Sequence, residues 1–186
     1  MFSLISKIKC AVFTVLISGV ASAESFLLSS NDIDTGKYMS KEHEFQGFGC
    51  TGNNISPQLS WANAPKGTEA FAVFAYDPDA PTGSGWWHWQ IVNIPKNISS
   101  LEAGAGNSEK NRTPQGSVQI VNDYGVRGYG GACPPKGHGA HRYQFTVFAL
   151  SKKLDLPSDA SGALTGYIVK ANSLGESTIE ALYMRE

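Results

Sequence analysis

Two segments of this 186-residue chain combine side chains capable of polar chemistry with backbone stiff enough to hold them in place. The first runs Asp77-Pro78-Asp79-Ala80-Pro81, then Gly85-Trp86-Trp87-His88-Trp89-Gln90-Ile91-Val92-Asn93. The second runs Gly130-Gly131-Ala132-Cys133-Pro134-Pro135-Lys136-Gly137, then His141-Arg142-Tyr143. Each is a Pro/Gly loop that leads into an apolar, aromatic strand, with a histidine at the junction. Prolines fix φ, glycines permit close backbone approach, and the strand anchors the side chains. Such loops present carboxylate and imidazole groups on a preorganised rim.

Each of these residues also has a plainer reading. Asp77 ends a strand and enters an Asp-Pro turn, where a carboxylate often bonds nearby amides. Asp79 fits that role still better. His88, among three tryptophans, reads equally as a satisfied core residue; His141, after a glycine-rich loop, does so less readily. His138 is expected to be exposed in its glycine-flanked loop. Catalytic signatures are missing: there is no Gly-x-Ser-x-Gly elbow and no His-x-x-x-His pair on a helix. Two classes of chemistry remain open. One is non-catalytic binding by carboxylate and imidazole groups held on a rigid rim. The other is metal-assisted or His/Asp hydrolysis through Asp77, His88 and His141.

The two segments resemble the phosphatidylethanolamine-binding proteins, also called Raf-kinase-inhibitor-like proteins, in their bacterial exported branch. The resemblance rests on Asp77-Pro78-Asp79-Ala80-Pro81, on Trp87-His88-Trp89 before Val92-Asn93, and on Gly131 to Gly137 before His141-Arg142-Tyr143. Asn54-Ile55-Ser56-Pro57-Gln58-Leu59-Ser60-Trp61 is similar to the segment that bacterial members carry upstream. The resemblance covers nearly the whole chain after the N-terminal leader, about residues 26–184.

The resemblance implies two packed antiparallel sheets with a helix near the C-terminus. It also implies a ligand pocket built from Asp77, His88, His141, Tyr143 and the backbone amides of Ala132 and Cys133. Asp79, Pro81, Trp86 and Pro134 would form the rim, with Asp77 orienting a histidine or receiving an ammonium group. Trp87 stands where many members outside the bacteria have a second histidine, and Cys133 where glycine is common. The implied function is non-enzymatic binding of a small anion, such as phosphate, a carboxylate or a phosphorylethanolamine-like headgroup. Modulation of a protein partner is a further implication. The alternatives are a hydrolase, or a secreted interaction protein with a vestigial pocket. No metal, cofactor or catalytic residue is expected.

The elements that position these groups read as mostly β. Charged residues make up only 17% and glycines number 20, which favours short strands and many loops. Phe26-Leu27-Leu28 opens a first strand. Phe71 to Tyr76 is a nearly continuous apolar run, suited to a central strand buried on both faces. Trp87 to Ile94 and His141 to Leu150 are two more strands; in the latter His141, Tyr143, Phe145, Val147 and Ala149 share one face. Residues 96–117 read as a long surface loop. One helix follows, capped by Ser158 or Asp159, lined by Leu164, Ile168 and Ala171, and ended at Asn172-Ser173. A last strand is expected over about residues 177–184.

The N-terminus reads as a secretory leader over residues 1–23. Lys7 and Lys9 precede an apolar stretch from Cys10 to Val20, and Ala21-Ser22-Ala23 forms the cleavage site. The apolar stretch is short for a membrane span, although an uncleaved anchor is the alternative. Removal leaves one domain over residues 24–186, periplasmic or secreted, as a monomer or homodimer. Without Lys7 and Lys9 the 15 Lys+Arg fall to 13 against 16 Asp+Glu, which gives no footprint for nucleic acid. Two of the three cysteines remain, Cys50 and Cys133. An even count in an exported chain points to a disulfide; two unrelated buried thiols are the other reading.

Overall fold

The computed structural model describes residues 24–186; the expected leader lies outside them. Ten strands, a 3-10 turn at Lys41–His43 and one helix form the domain. The strands are β1 (Leu27–Ser29), β2 (Gln46–Gly47), β3 (Cys50–Thr51), β4 (Leu59–Ala62) and β5 (Ala70–Asp77). They continue with β6 (Trp86–Pro95), β7 (Ser100–Leu101), β8 (Val118–Gln119), β9 (His141–Leu150) and β10 (Ser173–Tyr183). Helix α1 spans Gly162–Ala171. A five-stranded antiparallel sheet has the order β10-β9-β5-β6-β8, a smaller sheet has β1-β4-β7, and β2-β3 is a hairpin.

Strand β5 shows why the large sheet is central. Phe71, Val73 and Ala75 point into a core shared with Leu28, Leu59 and Trp61 of the small sheet. Ala70, Ala72 and Phe74 point the other way, onto Phe148, Leu150 and Val169 beneath the helix. A strand buried on both faces has no reason to alternate, so its sequence is one apolar run. Strand β9 has the expected bounds, and its face from His141 to Ala149 is buried. The segment 96–117 is not all surface: β7 interrupts it, and Leu101 and Ala105 are buried.

The helix corrects the sequence reading. Its N-cap is Ser161, whose side chain accepts from the Leu164 N–H, rather than Ser158 or Asp159. Its buried face is Gly162, Thr165, Gly166 and Val169, while Leu164 is 40% exposed. Trp87 is the cause. A Cβ on Gly162 would lie 2.5 Å from Trp87 Cδ1, and one on Gly166 would lie 3.4 Å from Trp87 Cη2. The indole needs a smooth helix surface, so glycines face inward and leucine turns out. Strand β10 begins at Ser173, earlier than expected, because the chain passes from the helix cap directly into the sheet.

Candidate functional site

Strands β9, β5 and β6 are neighbours, and in antiparallel order the end of β5 meets the starts of β6 and β9. Asp77 pairs with Trp86, and Tyr76 pairs with Gln144. Residues more than fifty positions apart therefore converge on one end of the sheet. They line a cavity of about 150 Å³, roughly five water volumes at ~30 Å³ each.

Asp77 is 2% exposed and fills two of the three roles open to it, turn carboxylate and partner of a histidine. Its Oδ1 accepts the Asp79 N–H at 2.8 Å, closing the Asp-Pro turn. Its Oδ2 accepts the Nδ1–H of buried His141 at 2.7 Å. With both oxygens engaged, Asp77 acts as the orienter of His141. On the far side of that ring, His141 Nε2 lies 2.7 Å from Nδ1 of His138. One proton is shared there, so the exposed loop histidine is tied to the pocket.

His88 sits on a bulge. Ala75 pairs with Trp89 and Tyr76 with Trp87, leaving His88 outside the ladder with β5. It is locked to Gly130 instead: His88 Nδ1–H donates to the Gly130 carbonyl at 2.7 Å, and the Gly130 N–H donates to the His88 carbonyl at 2.8 Å. Burial lowers the pKa of this imidazole, partly opposed by the Gly130 carbonyl and by Asp77. His88 is therefore neutral, with its only proton directed at the backbone. The expected pair of imidazole N–H donors aimed at a ligand is replaced by two rings whose Nδ1 protons serve the protein.

Tyr143 and Trp86 differ in this respect. Both line the cavity, and Tyr143 Oη and Trp86 Nε1 are buried without a hydrogen-bond partner. The Tyr143 ring meets His88 edge to face at 5.1 Å, and burial pushes its phenol above the ordinary range. The Ala132 amide is placed elsewhere than expected. Its N–H donates to His43 O at 3.1 Å and its carbonyl accepts the Phe45 N–H at 2.9 Å, so it builds the wall and leaves no donor for a ligand.

Cys133, Pro134 and Pro81 do line the cavity, and Cys133 is disulfide-bonded to Cys50. Asp79 lies outside. It accepts from Arg142 through the backbone N–H at 2.9 Å and the guanidinium at 2.7 and 2.9 Å. Of the tryptophans, Trp86 alone reaches the cavity; Trp89 enters the core and Trp87 lies under the helix.

Further residues carry the site unannounced by the sequence motifs. Tyr124 lines the cavity, donates to Gly131 O at 3.0 Å and stacks on Phe45 at 3.9 Å. Its only sequence signal is an aromatic inside the turn Asn122-Asp123-Tyr124-Gly125. Phe48 is 72% exposed at the mouth, at the tip of the β2–β3 hairpin, with φ 51. Ala80, Thr82 and Pro135 complete the lining, which contains no lysine or arginine. Asn54 supports the second loop from behind, accepting the Gly131 N–H at 2.7 Å.

Two packed antiparallel sheets with a C-terminal helix and a small cavity at the strand ends define a mostly β fold. The chain belongs to the phosphatidylethanolamine-binding protein family, whose sequence pattern matches residues 29–184. It is 50% identical over 175 residues to the UPF0098 protein YbcL of Escherichia coli (strain K12), covering 92% of this chain and 96% of that one. It is 47% identical over 157 residues to YbhB of the same strain, covering 84% and 98%. The crystal structure of E. coli YbcL superposes with a TM-score of 0.84 at 49% identity, covering 87% of this chain and 99% of that one.

Proposed function

We propose that the chain is an exported, non-enzymatic binding protein whose pocket takes a small oxyanion, free or as the headgroup of a larger ligand. One observation carries this reading. Tyr143 Oη and Trp86 Nε1 are donors buried beside the cavity with no acceptor. A buried polar group without a partner costs about 1–3 kcal/mol, and an oxyanion is all acceptor.

Two features speak against catalysis at this spot. Burial pushes the Tyr143 phenol up, the reverse of an activated nucleophile. The other two hydroxyls of the lining are spent on backbone carbonyls, Thr82 donating to Gly85 O at 2.5 Å and Tyr124 to Gly131 O at 3.0 Å. Export is supported by the leader pattern and by the Cys50–Cys133 disulfide. No described helix is long and apolar enough to cross a membrane. The exposed Phe48 beside the pocket gives a protein partner a point of contact.

The test is phosphate-dependent thermal stabilisation of the parent and of Tyr143→Phe. Phenylalanine removes the donor and strands no protein acceptor, so the variant folds. The parent gains stability as RT ln(1 + [L]/Kd), and the variant gains clearly less. Equal gains, or none in the parent with phosphate or acetate, refute the assignment.

A further inference from the structure

We infer that His138 and His141 form a binding site for one imidazole-seeking divalent metal ion, copper(II) or zinc. The inference goes beyond the oxyanion reading and does not depend on it.

The two rings already face each other. His141 Nε2 lies 2.7 Å from His138 Nδ1, with the ring centres 5.0 Å apart. The neutral His141 ring gives its one proton, on Nδ1, to Asp77 Oδ2 at 2.7 Å, so its Nε2 carries a lone pair. A carboxylate behind an imidazole in this way fixes the ring and raises its basicity as a metal ligand. Asp77 has both oxygens engaged, so it backs the site without entering it. His138 Nδ1 meets the His141 lone pair through a single proton, and a metal ion takes that proton's place.

The spacing suits the exchange. Two imidazoles bound at about 2.0–2.1 Å, with an angle of about 90–110° at the ion, hold their nitrogens about 2.9–3.4 Å apart and their ring centres about 4.5–5.2 Å apart. The ring centres therefore need no separation, and His138 has only to tilt. Its backbone is pinned meanwhile: the His138 N–H donates to Pro135 O at 3.2 Å and the Gly137 N–H to Arg185 O at 3.0 Å. Gly137 and Gly139 flank it with φ 73 and 87, and a Cβ on either would meet nothing within 4 Å. The loop is open on that side, which gives the ring room to turn.

The surroundings favour a cation at this pair. The Asp77 carboxylate stands behind His141, and the basic residues nearest in sequence are both occupied. Arg142 is paired with Asp79, and Lys136 donates to Glu186 O at 2.9 Å. The other two histidines, His43 and His88, are buried with Nδ1 on backbone carbonyls. Cys50 and Cys133 are bonded to each other, so neither offers a thiolate. Among the described residues no three His, Cys, Asp or Glu side chains form a metal-holding group. The protein therefore supplies two ligands and water the rest, which makes the ion exchangeable. Imidazole nitrogen suits copper(II) and zinc, and copper(II) binds the more tightly; magnesium and calcium prefer oxygen.

The test is calorimetric titration of the intact, disulfide-bonded protein at a pH of about 7.5, where unperturbed imidazole is mostly neutral. The probes are copper(II), zinc and magnesium chlorides in a non-coordinating buffer, added to the parent and to His138→Ala. His138 is exposed, so its truncation leaves the fold in place. The parent binds copper(II) and zinc one ion per chain, His138→Ala binds them about tenfold or more weakly, and magnesium binds neither protein. Equal copper affinity in parent and variant, or magnesium binding as tightly as zinc, overturns the site. Failure of both copper and zinc to bind the parent overturns it too and leaves a hydrogen-bonded histidine pair only. Electron paramagnetic resonance of the copper-loaded parent needs no variant: two coordinated imidazole nitrogens support the site, and one or none overturns it. None of these outcomes involves phosphate, so the oxyanion reading is tested separately.

Discussion

The Cys50–Cys133 disulfide closes a sequence separation of 83 residues and joins the β2–β3 hairpin to the loop that walls the pocket. Opening it restores the freedom of that loop in the unfolded chain. In the chain-entropy model this amounts to about 15 cal/mol/K, or roughly 4.5 kcal/mol at 25 °C. A domain of this size has an unfolding entropy near 0.3 kcal/mol/K, so the melting temperature should fall by about 10–15 °C. The native contacts around the bridge survive its loss. Phe45 still bonds Ala132 and stacks on Tyr124, and Arg185 still donates to Gly49 O at 2.9 Å and Pro134 O at 2.7 Å. The fold should therefore persist at room temperature, with the whole effect in the unfolded state. The assay is calorimetry of the oxidised parent, the reduced parent and the Cys50→Ala/Cys133→Ala variant, with far-UV circular dichroism to show that the fold is kept. A fall of under about 3 °C in both perturbed forms refutes the loop-entropy account. Loss of the fold at 25 °C refutes the claim that the remaining contacts hold the hairpin.

Gly131→Ala should destabilise the domain by about 1–3 kcal/mol in urea unfolding. The new Cβ would lie 2.3 Å from His43 O and 2.5 Å from Phe45 N, both backbone atoms that cannot swing aside; a change under about 0.5 kcal/mol contradicts that packing. Asp79 should titrate by NMR near pH 2, because hydrogen bonds from Arg142 hold its carboxyl at about 2, below the ordinary 3.8. Its folded value is depressed, so the stability it contributes is present above pH about 4 and is lost as the pH falls towards 2. Asp79→Asn should flatten the acid limb of the stability profile over that window, and an unchanged limb would show the ion pair to be irrelevant.

Much of the frame was legible from periodicity. The alternation from His141 to Leu150 fixed β9 to its end residues, and the unbroken apolar run of β5 announced a strand covered on both faces. Both patterns are local records of burial, which each residue feels through its own transfer free energy. The helix was legible only as an element. Its inward face is made of glycines and a threonine because Trp87, seventy-five positions earlier than Gly162, fills the space a larger residue would need. Nothing in a hydrophobic pattern records a neighbour's shape.

The same division runs through the site. The sequence by itself determined a mostly β chain with one helix and placed Asp77, His88, His141 and Tyr143 each beside a stiff loop, with Cys50 and Cys133 available to brace it; that the four gather in one pocket came from the family resemblance. Tertiary structure alone decided what those groups offer. Which ring nitrogen of His88 holds the proton depends on Gly130 O, and which oxygen of Asp77 meets His141 depends on the register of β5 against β9. The Ala132 amide was lost to His43, while Tyr124 and the free donor of Trp86 were gained. Residue type sets what a group is able to donate or accept. A hydrogen bond is short and directional, so only the packed chain settles which of those capacities remain open to a ligand.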